Sequence, residues 1–372
     1  MAPIYLDYNA STPIDPAVAA VMRLLLETAF GNPSSGHWAG APAKAALEHA
    51  RGQVALLLGC AADEIVFTSG GSEANNLALK GLFFARGSRP SHFITSAIEH
   101  PAILAPCRHL EGIGASVTYV PVDGSGLVDP VDIRKAITKD TCLISVMHAN
   151  NEVGTIQPIA EIAQIAREHG ILLHTDAAQS VGKIATKVEE LGVDLVSVAG
   201  HKLYAPKGVG ALYIRRGVSL EPLIHGAGHE GGQRAGTESA LLTAALGKAC
   251  TIAESAIGMP AVRGLRDAFW ERLRETFGNR VVLNGHPERR LPNTLNVSFI
   301  GQNGADILAR MPEVAASTGS ACHSGAITLS PVLKAMGIAP GTGLGAIRFS
   351  LGRGTTEDEI ISVVDRLRRV IA

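Results

Sequence analysis

Neither sign of charge dominates the sequence: 33 basic side chains stand against 34 acidic ones, a net charge of −1 over 372 residues. Without a basic excess nothing recommends nucleic acid as a partner, and no acidic run marks a solvating tail. Cysteine is sparse, with five residues at positions 60, 107, 142, 250 and 322. An odd number, wide spacing and no C-x-x-C pair exclude a disulfide framework and a zinc ribbon. A reducing compartment is expected, where each thiol is either core filler or chemistry. No apolar run approaches the ~18 residues of a membrane helix, and no basic residue before Arg23 suggests a leader peptide. The expectation is a soluble cytoplasmic protein with no membrane partner. Glycine and proline make up about 16% of the chain, short of the ~25–30% of low-complexity sequence. With 46% apolar residues, a large core is affordable, and the length suggests two domains or one domain with a lobe.

What is present is a repeating grammar. Asp15-Pro16 opens a helix as cap and first residue, and a second helix spans about Ala41–Leu58, closed by Gly59. Short apolar runs then alternate with helical stretches: Ile65–Thr68, a helix over Ser72–Arg86, Phe93–Thr95, a helix from Pro101, Ser116–Val120, a helix from Pro130, Cys142–Met147, a helix from Pro158, and Ile171–Thr175. This alternation predicts an α/β fold on a mostly parallel, seven-stranded sheet, whose strands are buried on both faces. Leu195–Val198 and Val209–Ile214 follow around a Gly/Pro-rich loop. After Thr237 come two long helical patterns and a mixed α/β tail. The expected division is a large domain at 16–255 and a smaller one formed by 1–15 and 256–372.

In such a sheet, ligands bind beyond the carboxyl ends of the strands. The first strand ends in Thr68-Ser69-Gly70-Gly71-Ser72-Glu73, whose free amides and helix start suit a phosphate. An ordinary turn capped by Ser72 is the plainer reading. Glu99-His100-Pro101 follows the next strand, and Asn150-Asn151-Glu152 a later one. His174-Thr175-Asp176 ends another. Asp176 there is either a turn-capping residue or a partner for a cationic ring nitrogen. Lys202, in Gly200-His201-Lys202, stands directly after a buried strand, where desolvation lowers the pKa of an amine enough for Schiff-base chemistry. A phosphate cradle, an aspartate and a Schiff-base lysine are together what pyridoxal 5'-phosphate requires. Cys322 differs from the other four cysteines. It lies in a small, polar stretch beside His323, suited to an exposed thiol that can move. Arg348 is a charge inside an apolar strand pattern and needs an anion, either a substrate carboxylate or a structural acid. Gly226-Ala-Gly228-His-Glu-Gly231 matches G-x-G-x-x-G but does not lead from a strand into a helix, so it is no dinucleotide fingerprint. His225 and His229 share that glycine-rich stretch, which will not hold them on a helix as zinc ligands.

These residues carry a resemblance along nearly the whole chain. The motifs include Tyr5-Leu-Asp7-Tyr-Asn9, Gly31-Asn-Pro-Ser-Ser, Phe67-Thr-Ser-Gly-Gly-Ser72-Glu, His148-Ala-Asn-Asn151-Glu, His174-Thr-Asp176-Ala-Ala-Gln179, Gly200-His201-Lys202, Arg234-Ala-Gly-Thr237, Gly319-Ser-Ala-Cys322 and Ile347-Arg348-Phe-Ser-Leu-Gly-Arg. The sequence resembles the cysteine desulfurases, in the class V aminotransferase group of fold-type I pyridoxal phosphate enzymes. The resemblance implies that Lys202 holds the cofactor and Asp176 pairs with its ring nitrogen, while His100 stacks on the ring and moves protons. It implies Gln179 at the phenolic oxygen, and Ser72, Gly71 and His201 at the phosphate, with Thr237 reaching the phosphate of a neighbouring subunit in a homodimer. Asn151, Arg348 and Asn9 would serve the substrate, with Asn151 also touching the cofactor. L-cysteine would be cleaved to alanine, its sulfur held as a persulfide on Cys322 and passed to an acceptor or scaffold protein, as in iron–sulfur cluster or thiocofactor assembly.

The chain departs from the family pattern at three places. Ala199 stands where a serine is usual, which removes one phosphate hydrogen bond worth roughly 1 kcal/mol. Ser72 replaces a common threonine. Cys322-His323-Ser324 is similar to selenocysteine lyases, although their Glu-His pair is typically followed by aspartate, where Pro101 stands here. Selenocysteine lyase is thus the runner-up, ahead of another class V reaction. The 26 residues from Cys322 to Arg348 resemble the group with a longer, mobile cysteine loop.

Overall fold

The computed structural model describes residues 3–318 and 328–371. The chain opens on a two-residue strand, β1 (Ile4–Tyr5). The first helix, Pro16–Thr28, starts where the Asp15 carboxylate accepts from the Ala17 amide at 2.9 Å. The second, Ala41–Leu58, stops at Gly59, whose φ of 71° is left-handed and open to glycine without a Cβ penalty.

Seven strands then build one sheet: β2 (Ile65–Thr68), β3 (His92–Ser96), β4 (Ser116–Val120), β5 (Thr141–Ser145), β6 (Leu172–Asp176), β7 (Leu195–Ala199) and β8 (Gly210–Ile214). Their order is β2-β8-β7-β6-β5-β3-β4, and β8 alone runs antiparallel to its neighbours. Alternate residues face opposite sides. Phe67, Ile94, Ile144, Leu173 and Val196 enter the core beneath Ala41–Leu58 and Ala240–Glu254. Val66, Phe93, Leu143, Leu195 and Leu212 enter a second core on the other face. Inner strands are therefore buried on both faces, with polar residues such as His174 and Ser197 among the apolar ones, whereas the edge strand β4 is only partly buried.

A separate core surrounds a three-stranded antiparallel sheet. β9 (Val281–Asn284) pairs with β10 (Thr294–Phe299), β11 (Val314–Ala315) runs beside β1, and β12 (Ala346–Ser350) pairs with the other edge of β10. Ile4 and Leu6 join this core with Leu295, Ile347 and the helices Pro260–Phe277 and Glu357–Val370. Phe269 and Phe349 meet edge-on within it at 5.0 Å, and deleting either ring costs about 3–5 kcal/mol.

Two features differ from expectation. The helix expected over Ser72–Arg86 starts at Gly71 and widens into a π turn at Leu77–Gly81. The Gly81 carbonyl accepts from the Glu221 amide at 2.9 Å, so a crossing loop uses a group that a regular helix would spend on itself. The strands β1, β9 and β11 lack a pattern of their own. The two-residue β1 and β11 exist through their mutual pairing across most of the chain.

Candidate active site

A cavity of about 590 Å³ opens beyond the carboxyl ends of β2, β3, β5, β6 and β7. Asn9, Gly71, Ser72, His100, Asn151, Asp176, Gln179, His201, Lys202 and Arg348 all line it. Two sequence-predicted residues are not among them. Thr237 lines a separate cleft with Ser69 and Arg234, and Cys322 lies outside the described residues.

At the end of β2, Gly70 rather than Ser72 caps the helix, with a φ of 150° that a side chain rarely adopts. Ser72 falls in the first turn, facing the cavity. Gly210 of β8 presses so closely that a Cβ on it would stand 2.7 Å from the Gly70 backbone. Glu73 braces the turn from beneath: Oε2 accepts from the Ser69 amide at 2.7 Å, and Oε1 accepts from Arg234 at 2.9 Å. The result is a tight turn of small residues with amides at a helix start, suited to an anion.

β6 delivers Asp176, which is buried. Its Oδ1 accepts from the Ala178 amide at 2.9 Å and its Oδ2 from Asn75 Nδ2 at 2.7 Å. The aspartate thus makes the local turn bond and still lines the cavity. His100 caps the helix Pro101–Glu111, its Nδ1 accepting from the Ala102 amide at 3.1 Å. That bond places the ring proton on Nε2. Desolvation lowers the ring's pKa, Asp176 opposes this, and Lys202 adds to it.

Lys202 follows β7 in a single turn, Gly200–Lys202. Its Nζ donates to the carbonyls of Asn9 at 2.5 Å and Ala10 at 2.9 Å. Burial brings its pKa down to about 8, helped by Arg348 and opposed by Asp176 and Asp7. Such an amine is partly neutral near pH 7–8 and nucleophilic. His201 is pushed to about 4, by desolvation first and then by Lys202 and Lys207, so a neutral ring faces the cavity.

Arg348, from β12, has beside it one of the two anions that its sequence context left open. Its guanidinium donates to Asp7 Oδ1 at 2.7 Å and to the Asn151 carbonyl at 2.9 Å. Asp7 is thus the structural acid. Nε remains buried without a partner. The Asn9 side chain is turned to its own surroundings, Nδ2 donating to Thr294 Oγ1 at 2.8 Å and Oδ1 accepting from Asn293 at 3.0 Å. Its backbone carbonyl is what faces Lys202. The Arg348 backbone pairs with Ser317, and the Ser330 hydroxyl donates to Glu152 Oε2 at 2.5 Å.

Sequence reasoning missed Asn75, Lys183 and the role of Glu99. Glu99 is buried beside His100, its carboxyl pushed up to about 8 by desolvation, although Ser96 and the Met147 amide donate to it. Its Oε2 has no partner, as suits a protonated acid. Asn75 reads in sequence as one more helical polar residue, and only the fold brings it to Asp176.

The family described as aminotransferase class-V matches residues 4–363. A cysteine desulfurase IscS of Dictyoglomus turgidum is 47% identical over 372 residues, covering 99% of this chain and 94% of that protein. One from Pectobacterium atrosepticum is 45% identical, covering 99% and 93%. Among solved structures, a NifS-like protein superposes with a TM-score of 0.92 at 35% identity, covering 99% of both chains. SspA in complex with cysteine gives 0.84 at 39% identity, covering 94% of this chain and 98% of that one. The cofactor of this family is pyridoxal 5'-phosphate, and the cavity fits it. The glycine turn leaves room for a phosphate, a buried aspartate is available to a ring nitrogen, and a lysine of depressed pKa lines the same cavity. The chain belongs to the class V aminotransferases, in their cysteine desulfurase group.

Proposed function

We propose that this enzyme takes the sulfur from L-cysteine, releases L-alanine and holds the sulfur as a persulfide on Cys322. The observation that carries the reading is the half-buried Lys202 amine, which shares the cavity at the sheet's carboxyl edge with Asp176 and Arg348 and has its pKa lowered to about 8. Pyridoxal phosphate, when bound, supplies the electron sink that stabilises negative charge at the substrate Cα.

The chain's own residues do the rest. Lys202 would hold the cofactor through its amine and would move a proton at the substrate. Asp176, oriented by Asn75 and the Ala178 amide, holds the negative charge that keeps a ring nitrogen protonated. Ser72, Gly71 and His201 would bind the phosphate, while Gln179 would contact the phenolic oxygen. His100 has its proton on Nε2 and relays protons beside the ring. Arg348 and Asn151 receive the substrate carboxylate, with Asn9 bracing them. The Cys322 thiolate attacks the substrate sulfur. A sulfur–sulfur bond forms as the carbon–sulfur bond breaks, with its electron pair left on carbon, which takes a proton to give alanine.

Cysteine is favoured over selenocysteine because the relatives carry cysteine desulfurase names and SspA was solved with cysteine. Thr237, which lines a different cleft from Lys202, would serve the cofactor of a second subunit, and Phe30 and Trp38, exposed and packed together, give apolar surface for protein contact. The sulfur then goes to an acceptor or scaffold protein. A reducing, cytoplasmic setting suits a Cys322 that must be a thiol to attack. No helix among the described residues is long and apolar enough to cross a membrane. We place the domain division at 16–255 against 1–15 with 256–372, supported by the way Ile4 and Leu6 join the C-terminal core.

The test is alanine formation from cysteine and from selenocysteine side by side, with mass spectrometry of Cys322. Cys322→Ala is expected to keep the yellow cofactor and lose sulfide release. Sulfide release near the wild-type rate would sink the persulfide role.

A further inference from the structure

Lys183 is buried, only 5% exposed, and among the described residues its ammonium meets no carboxylate. It donates to two amide oxygens, Gln179 Oε1 at 3.0 Å and Asn9 Oδ1 at 3.2 Å. Burying an unpaired ammonium is costly, so a side chain that only filled space here would be better apolar. The cost shows in its pKa, pushed down to about 7 by desolvation first and then by Lys202 and Arg348.

The two amides it holds belong to Gln179 and Asn9, which line the cavity with Lys202. A lysine amine in its protonated form has three donors and no acceptor. It can only bind the oxygen of the Gln179 carboxamide, which turns Nε2 the other way. Nε2 then donates to the Asn9 carbonyl at 3.0 Å, the same carbonyl that accepts from Lys202. Asn9 is fixed in turn, because Lys183 and Asn293 both donate to its Oδ1 while its Nδ2 donates to Thr294 and to the Asn151 carbonyl. Of the charged groups around the two lysines, Arg348 repels both, whereas Asp176 and Asp7 favour the charged form of Lys202. Tyr8, Tyr204 and Arg353 line the small cleft behind them.

We propose that Lys183 is a positioning residue of the cofactor site: it locks the Gln179 carboxamide with its N–H side toward the Asn9 carbonyl that Lys202 also contacts, so that this site offers a donor, not an acceptor, to the phenolic oxygen of pyridoxal phosphate. The inference rests on the cofactor reading given above. A flipped Gln179 would set a carbonyl oxygen against a phenolate and raise the basicity of the phenolate and of the nitrogen that shares its proton.

The measurement is the pH titration of the visible absorption band of the purified holoenzyme. Lys183→Met is expected to raise the titration midpoint by about one unit and to speed cofactor dissociation roughly fivefold, while Lys183→Arg restores both. In a Gln179→Ala background, Lys183→Met should move the midpoint no further, because it acts through Gln179. Should Lys183→Met not fold, Lys183→Gln is read in the same way, since it brings an acceptor that lets Gln179 turn over. An unchanged midpoint, or a further shift in the Gln179→Ala background, overturns the proposal. A wild-type protein that showed no visible cofactor band would instead overturn the reading of the site.

Discussion

Asn75 donates from Nδ2 to Oδ2 of Asp176 across 2.7 Å, and both residues are buried. The other Asp176 oxygen is held by a backbone amide, so Asn75 is the side chain that sets the carboxylate's second contact. A hydrogen bond to a charged group contributes about 1.5–3 kcal/mol. Asn75→Leu should therefore loosen Asp176, lower alanine formation by roughly tenfold or more and shorten the lifetime of bound cofactor. Steady-state rates and cofactor retention on gel filtration check this. Wild-type values in both would show that Asp176 needs no support from Asn75.

Ala199 ends β7 on the cavity wall next to Gly71, where a Cβ on Gly71 would lie 3.1 Å from the Ala199 Cβ. The glycine and the alanine therefore pack at the glycine-turn end of the cavity, the proposed phosphate site, and Ala199 brings no hydroxyl there. Ala199→Ser adds one donor to that end. Cofactor dissociation is expected to slow by roughly 5- to 10-fold, with little change in fold stability. A dissociation rate equal to or faster than that of the parent would show that the hydroxyl does not reach the phosphate.

Arg348 depends on Asp7 for its direction. With the Asp7 contact at 2.7 Å and the Asn151 carbonyl at 2.9 Å, the guanidinium plane is fixed before substrate arrives. Asp7→Asn keeps the shape but removes the charge, so the guanidinium is held less firmly. The expected result is a KM for cysteine raised about tenfold with kcat changed less, a loss of about 1.4 kcal/mol. A fall in kcat alone would place Asp7 in the chemistry rather than in substrate binding.

Much of this site was legible in the sequence because each element announces its chemistry locally. The strands are buried on both faces; Asp176 is the last residue of its strand, and His100 and Lys202 sit just past the ends of theirs. What was not legible depends on meeting across the fold. Asn75 and Asp176 are 101 positions apart, and nothing in either segment marks the other. Lys183 stands four residues after Gln179, a helical spacing, yet that stretch is a series of turns. β1 and β11 contain two residues each, too few for any period to show. Arg348 was readable as a charge in need of an anion, but the sequence could not choose Asp7.

The buried histidines make a prediction about acid. His174 lies within the sheet, Nδ1 bonded to Ser145 Oγ at 2.8 Å and Nε2 to Ser197 Oγ at 3.0 Å. His148 is bonded to Ser180 at 3.0 Å. Desolvation pushes both to about 4 from an ordinary value of 6.5. The folded state thus holds neutral rings, while the unfolded chain takes up protons as soon as the pH drops below 6.5. The unfolded state binds more protons between pH 6.5 and 4, so stability falls as pH falls through that window. Each histidine contributes a loss of roughly 3 kcal/mol by its lower end. Glu99, pushed up to about 8, and Glu152, pushed up to about 7, act in the opposite direction, so the histidine contribution to any decline of the urea midpoint from pH 7 to 4 is read against a variant. In His174→Gln, which cannot protonate and can still hydrogen-bond both serines, the decline should be shallower even if the variant is less stable at pH 7. Parallel pH profiles for the parent and His174→Gln would show that the acid sensitivity arises elsewhere.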